Sequence, residues 1–213
     1  MRRGLLLVCF VLSAWMAAAQ EDFSFRTGDI LFQVGRSGSF NDAISAATSG
    51  KNDINYTHVG VVSIENDTVW VLEATMPFVA KTTLDKFLSR SRMEDGKPVV
   101  SVGRLKCRYR RLIPGAIGKM ESLIGKPYDY VFDPDNDAYY CSEIIYISFV
   151  RPNGKAVFES KPMTFRDKNT GEFPPGWITH FERHKATIPE GVEGTNPGDM
   201  SRSRIIRSLD HLF

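Results

Sequence analysis

Cysteine, histidine and a carboxylate together can build a thiol nucleophile with its own base, and this chain carries all three in suggestive settings. Cys141 stands in Tyr139-Tyr140-Cys141-Ser142-Glu143-Ile144-Ile145, where a polar loop gives way to an apolar run at helical spacing. A thiol at a helix N-terminus meets the positive end of the helix dipole and unpaired N–H groups. Both favour the thiolate, and the same N–H groups can hold an oxyanion. His58 opens the apolar run His58-Val59-Gly60-Val61-Val62, which reads as a strand and gives a rigid mount for a base. Fifteen residues on, Glu73 is the one charge in Val69-Trp70-Val71-Leu72-Glu73-Ala74. Two strands joined by the Asn66-Asp67 turn would bring that carboxylate beside the imidazole, where it could fix the tautomer. Read from residue types alone, two other fates stay open for Cys141. It could be an inert core thiol or the partner of Cys107 in a disulfide, and His58 could be a structural histidine.

The elements that must position these groups follow from periodicity and punctuation. Ile30 to Phe32 reads as a strand. Ser39 to Thr48 reads as a helix, with Phe40, Ala43, Ile44 and Ala47 on one face and Ser39 or Asn41 as cap. The strand at His58–Ile64, a hairpin partner at 68–74 and a short strand at 79–82 follow, then a helical turn at 84–88 and a strand at 98–105. Helices are expected at 114–124 and 141–150, with a final short helix through Trp177, Ile178 and Phe181 after Pro174-Pro175-Gly176, and residues 186–213 as a surface-wrapping tail. This order of strands then helices predicts a single α+β domain, an antiparallel sheet or small barrel packed against helices.

The N-terminus reads as an address. Arg2-Arg3, an apolar run from Leu5 to Trp15 and Ala17-Ala18-Ala19 have the plan of a secretory signal peptide cut after Ala19. The run is shorter than the ~20 residues of a membrane span, so an uncleaved anchor is the lesser alternative. The chain has 27 Lys+Arg against 25 Asp+Glu. Loss of Arg2 and Arg3 leaves a neutral chain, which excludes the basic footprint of a nucleic-acid binder. The expectation is therefore an exported protein, periplasmic or extracellular.

Other signals are weaker. The basic run Arg104, Lys106, Arg108, Arg110, Arg111 reads as a solvated segment, with an anionic-substrate grip as the alternative. Gly35–Phe40 lacks a phosphate-loop lysine, and Asp133–Asp137 lacks the Gly and distant Glu of a calcium loop. His180 and His184 lie one helical turn apart, read as a helix end rather than a zinc pair. Asn66-Asp67-Thr68 is an acceptor sequon on paper. No metal or cofactor is expected.

Taken in order, Gly28-Asp29-Ile30-Leu31-Phe32-Gln33, Thr57-His58-Val59-Gly60-Val61-Val62, Val71-Leu72-Glu73-Ala74, Gly125-Lys126-Pro127-Tyr128-Asp129 and Tyr140-Cys141-Ser142-Glu143 resemble the circularly permuted NlpC-type papain-like cysteine hydrolases, in their YiiX/YaeF-like branch. In the unpermuted enzymes the cysteine precedes the histidine; here it follows. The resemblance spans roughly residues 25–150, with weaker likeness at 189–191 and 197–201. It implies Cys141 as nucleophile, His58 as general base and acid, and Glu73 as the orienting residue. It further implies Tyr128 near the oxyanion site and a substrate contact at Tyr140. The implied substrate is a small amide or peptide, with bacterial cell-wall peptides (peptidoglycan fragments) foremost. Lipid or N-acyl hydrolysis or acyl transfer is the second reading, and a silent binding module with the two cysteines cross-linked is the third.

Overall fold

The computed structural model describes residues 23–209, so the signal segment, Cys9 and His211 lie outside the described residues. The chain runs β1 (Ile30–Gln33), α1 (Ser39–Ala47), β2 (His58–Glu65), β3 (Thr68–Thr75), β4 (Phe78–Thr83) and α2 (Leu84–Leu88). A two-residue hairpin, β5 (Met93–Glu94) and β6 (Lys97–Pro98), leads into β7 (Val100–Leu105). Then come α3 (Ile113–Ser122), α4 (Cys141–Ser148), β8 (Lys161–Pro162), α5 (Pro175–Arg183), β9 (Glu193–Gly194), α6 (Pro197–Ser201) and β10 (Ile206–Leu209).

Six strands form one antiparallel sheet in the order β10-β7-β1-β2-β3-β4. The sheet is open, so of the two expected forms it is the sheet and not the barrel. Strand alternation sorts its side chains between two layers. Ile30, Phe32, Val59, Val61 and Leu72 face α3 and α4 and meet Met120, Ile144 and Ile145. Leu31, Val62, Val71, Val100 and Val102 face the other way and meet Phe87 of α2. Ile144, Ile145 and Phe149 are wholly buried. At about 1.5–3 kcal/mol for each buried side chain, this face anchors α4 firmly on β2 and β3.

The hairpin turn is the expected one: Asn66 and Asp67 both take positive φ, 47° and 60°, as a tight turn matching strand twist requires. The cap of α1 differs. Gly38 holds the N-cap position, and its N–H is bonded by the Asp42 carboxylate, while Asn41 donates its amide to Arg36 O. Asp42 reaches back because Ser37 also donates to it, at 3.1 Å, fixing the turn from both ends.

Residues 186–209 do more than wrap the surface. They supply α6, which follows the expected last helix α5, and the edge strand β10, whose Ile206 joins the core with Ile205 and Met200. The physical reason is that β7 would otherwise present an unpaired edge beside an apolar face. Arg104, placed by sequence in a solvated run, is buried in β7. Its guanidinium forks onto Asp29 at 2.6 and 2.7 Å, and Asp29 is 1% exposed.

Candidate active site

The site forms where the start of β2 meets the start of α4. Tyr140 is extended at the N-cap, and Cys141 is the first helical residue. Glu143 turns back and accepts the Tyr140 N–H at 3.2 Å, so its carboxyl is spent on the helix terminus and not aimed at the thiol. Burial, with the negative charges of Asp129 and Asp133, pushes the Glu143 carboxyl up to about 8 against the pull of that N–H. Near neutrality it is therefore mostly uncharged and does little to oppose a thiolate two residues away.

The next segment from the C-terminal part clamps both neighbours of Cys141. Thr195 donates its N–H to the Tyr140 hydroxyl at 3.1 Å and its own hydroxyl to Ser142 Oγ at 3.1 Å. Cys141 itself is 7% exposed. Both described cysteines are free, Cys107 lying exposed on the turn between β7 and α3. The disulfide reading is thereby set aside.

β2 and β3 pair with Val61 opposite Leu72. Extended by one step, that register sets Glu73 opposite Gly60 and diagonal to His58 on one face, within side-chain reach. The contact is made: His58 Nε2 lies 2.5 Å from Glu73 Oε2. That leaves Nδ1 as the ring nitrogen open to Cys141, whose side chain and charge act on the imidazole. His58 and Glu73 lie on the α2 face of the sheet and Cys141 on the other. The ring can bridge the two because His58 is the first residue of its strand. Gly60 makes the space. A Cβ there would stand 2.6 Å from Val71 Cγ1 and 3.2 Å from the Phe87 ring, which itself packs 5.7 Å from the His58 ring.

Glu73 is fully buried and has every lone pair engaged. Thr82 donates to Oε1 at 2.6 Å, and Arg90 Nη2 reaches Oε1 at 2.5 Å and Oε2 at 2.6 Å. Burial works against its charge. The hydrogen bond and charge of His58, with Arg90, more than offset this and hold the carboxyl down at about 2. For His58 burial also opposes charge, yet hydrogen bonds with Cys141 and Glu73 and their negative charge raise the imidazole to about 9. The geometry can thus carry an imidazolium between two anions, the state a thiol nucleophile needs.

Tyr128 and Tyr140 both line the cleft beside Cys141. The Tyr128 hydroxyl is held protonated, above its ordinary value, by burial and by the Cys141 charge. The Tyr140 hydroxyl, raised to about 12 chiefly by burial, is committed to Thr195. The rest of the lining is Ile44, Phe132, Met163, Phe165, Trp177 and Pro197 with a few hydroxyls and Asn196. No Asp, Glu, Lys or Arg is among these lining residues.

Sequence reasoning missed Thr82 and Arg90. Thr82 had a signal: in a β3–β4 hairpin it falls diagonal to Glu73 on the same face, Glu73 pairing with Ala80. Arg90 had none, because it reaches Glu73 from the turn after α2. His180 and His184 form no metal pair: His180 Nε2 meets the Tyr130 carbonyl at 2.6 Å, and His184 stacks on the Tyr130 ring at 4.5 Å. The Asp133–Asp137 loop closes on itself, with Asp133 and Asn136 side chains accepting backbone N–H groups two residues on.

Comparison with known proteins agrees with this architecture. Residues 24–209 match the model of a family described as permuted papain-like amidase enzyme, YaeF/YiiX, C92 family. The uncharacterised protein YiiX of Escherichia coli strain K12 is 32% identical over 191 residues, 89% of this chain and 86% of that protein. A crystal structure described as that of the metalloprotein yiiX from Escherichia coli O157:H7 superposes with a TM-score of 0.68 at 25% identity. It covers 86% of this chain and 96% of that one. Among the described residues of the present chain, no three His, Cys, Asp or Glu side chains converge as a metal-binding group. With histidine and glutamate on the leading strands, the cysteine on a later helix and the family match spanning nearly the whole described chain, this protein belongs to the permuted papain-like amidases of the YaeF/YiiX, C92 family.

Proposed function

We propose that Cys141, His58 and Glu73 act as a catalytic triad that hydrolyses an amide through a thioester. The observation that carries this is the His58 imidazole bonded to the buried Glu73 carboxylate at 2.5 Å, with Cys141 at the start of its helix acting on the same ring. The Cys141 thiolate adds to the amide carbonyl, forming the C–S bond and placing the negative charge on oxygen. The Cys141 N–H, which has no acceptor within its own helix, and the protonated Tyr128 hydroxyl are the donors proposed for that oxyanion. The imidazolium gives its proton to the leaving nitrogen as the C–N bond breaks. His58 then takes a proton from water, the hydroxide adds to the thioester, and the C–S bond breaks to return the thiolate and release the acid.

The cleft speaks to the substrate. A cell-wall peptide with free amine and carboxylate would call for charged partners, and none line the space beside the thiol. That space is about 60 Å³ and walled largely by apolar groups. Common ligand sites run to about 300–1,000 Å³, so the cleft as built takes a small uncharged apolar group flanking the scissile carbonyl. This favours a small N-acyl amide over the wall peptide. Export to the periplasm or beyond is part of the proposal and rests on the N-terminal signal pattern; among the described residues no helix is long and apolar enough to cross a membrane.

The test is a panel of fluorogenic coumarin amides carrying propionyl, butyryl, decanoyl or γ-glutamyl groups, with mass spectrometry for an acyl adduct on Cys141. Turnover of the short acyl amides, lost in Cys141→Ala and in His58→Ala, is expected. Preference for the γ-glutamyl amide would return the wall-peptide reading. Turnover surviving Cys141→Ala would refute the triad.

A further inference from the structure

Arg90 belongs to no part of the expected machinery, yet it makes two of the four hydrogen bonds on the buried Glu73 carboxylate. Its position is fixed by its own backbone. The Arg90 N–H donates to Phe87 O at 3.2 Å, and its carbonyl accepts from the Arg36 N–H at 3.1 Å. Its guanidinium also lies over the Phe87 ring, 5.6 Å from the centroid, the same ring that supports His58. The turn after α2 therefore delivers one packing partner for the imidazole and one counter-charge for its carboxylate.

We propose that Arg90 is a positioning residue of the active site, which by neutralising Glu73 sets how tightly His58 holds its proton. The inference rests on the reading of Cys141, His58 and Glu73 as one catalytic unit. The groups that act electrostatically on His58 are Glu73 from β3 and Cys141 from α4; those on Glu73 are His58 from β2 and Arg90. With Arg90 in place, two cations face two anions. Without it, a single imidazolium faces both anions in a buried setting and holds its proton more tightly. A base that binds its proton too firmly is a poor donor to a leaving amine, so Arg90 keeps His58 in a working range.

The experiment is an NMR titration of the ¹³C-labelled His58 ring in the wild type, Arg90→Met, Arg90→Gln and Arg90→Lys, with the signal assigned by His58→Ala. Met keeps the stem over Phe87 without charge; Gln serves if Met fails to fold; Lys keeps the charge. The neutral variants should move the His58 midpoint up by about one pH unit, and Lys should leave it near the wild-type value. A midpoint unmoved in a folded neutral variant, or moved equally by Lys, overturns the proposal. The readout needs no turnover. Alkylation of Cys141 by iodoacetamide, compared between wild type and His58→Ala, judges the triad separately. If that alkylation does not depend on His58, the triad fails and the titration still decides whether Arg90 governs the imidazole.

Discussion

Replacing Glu73 by Gln should move His58 in the direction opposite to loss of Arg90. The amide keeps the shape of the side chain and an oxygen for the imidazole N–H, but it removes the negative charge 2.5 Å from Nε2. An opposite charge at such range is worth about 1–3 pH units, and the wild-type imidazole stands at about 9. A loss of two units would bring it to about 7. At pH 8 the protonated fraction would then fall from about nine-tenths to about one-tenth, whereas at pH 6 both proteins would remain mostly protonated. The variant's defect should therefore be small at pH 6 and roughly tenfold larger at pH 8, beyond any pH-independent loss from altered geometry. Paired profiles of kcat/KM on whichever coumarin amide is turned over, with the His58 NMR midpoint, measure it. A defect of equal size at both values, with the midpoint still near 9, would show that the charge of Glu73 does not govern His58.

Two further outcomes follow from buried charges. The His58 imidazole is raised above its ordinary 6.5, so its contribution to stability is fully present below 6.5 and is lost as pH rises through about 9. The ring is 17% exposed, and urea unfolding should show a loss of up to about 3 kcal/mol across that window, absent in His58→Ala. The depressed Glu73 carboxyl reports the same contact from the acid side, with stability lost below 4.5 as pH falls through about 2, and the two are not to be added. Away from the site, Arg104→Met leaves the Asp29 carboxylate buried without its cation and should cost about 3–5 kcal/mol in the same assay. Adding Asp29→Asn should restore a good part of that, and failure to do so would mean that Arg104 matters through its packing and its bond to Ser24 O and not through its charge on Asp29.

The layers and the chemical cast were legible in the residue order. Alternation in 58–75 with a two-residue turn specifies the hairpin, and its spacing already puts His58 and Glu73 on neighbouring strands. A polar loop giving way to Ile144 and Ile145 marks Cys141 as a helix start. The resemblance supplied the pairing of those halves, since nothing in spacing alone brings residue 141 to residue 58. The remaining features depend on contacts between segments distant in sequence. Arg90 reaches Glu73 through the packing of α2, and Thr195 braces both sides of Cys141 from more than 50 residues away. The last segment becomes a sheet edge because β7 needs a partner. The lining of the cleft gathers side chains from α1, the loops around 132 and 163, α5 and the start of α6. Local patterning fixes which face of each element is apolar, because the period is written in neighbouring residues. It does not fix which side chains from different elements converge, and that convergence sets the charge balance around His58 and the neutrality of the cleft.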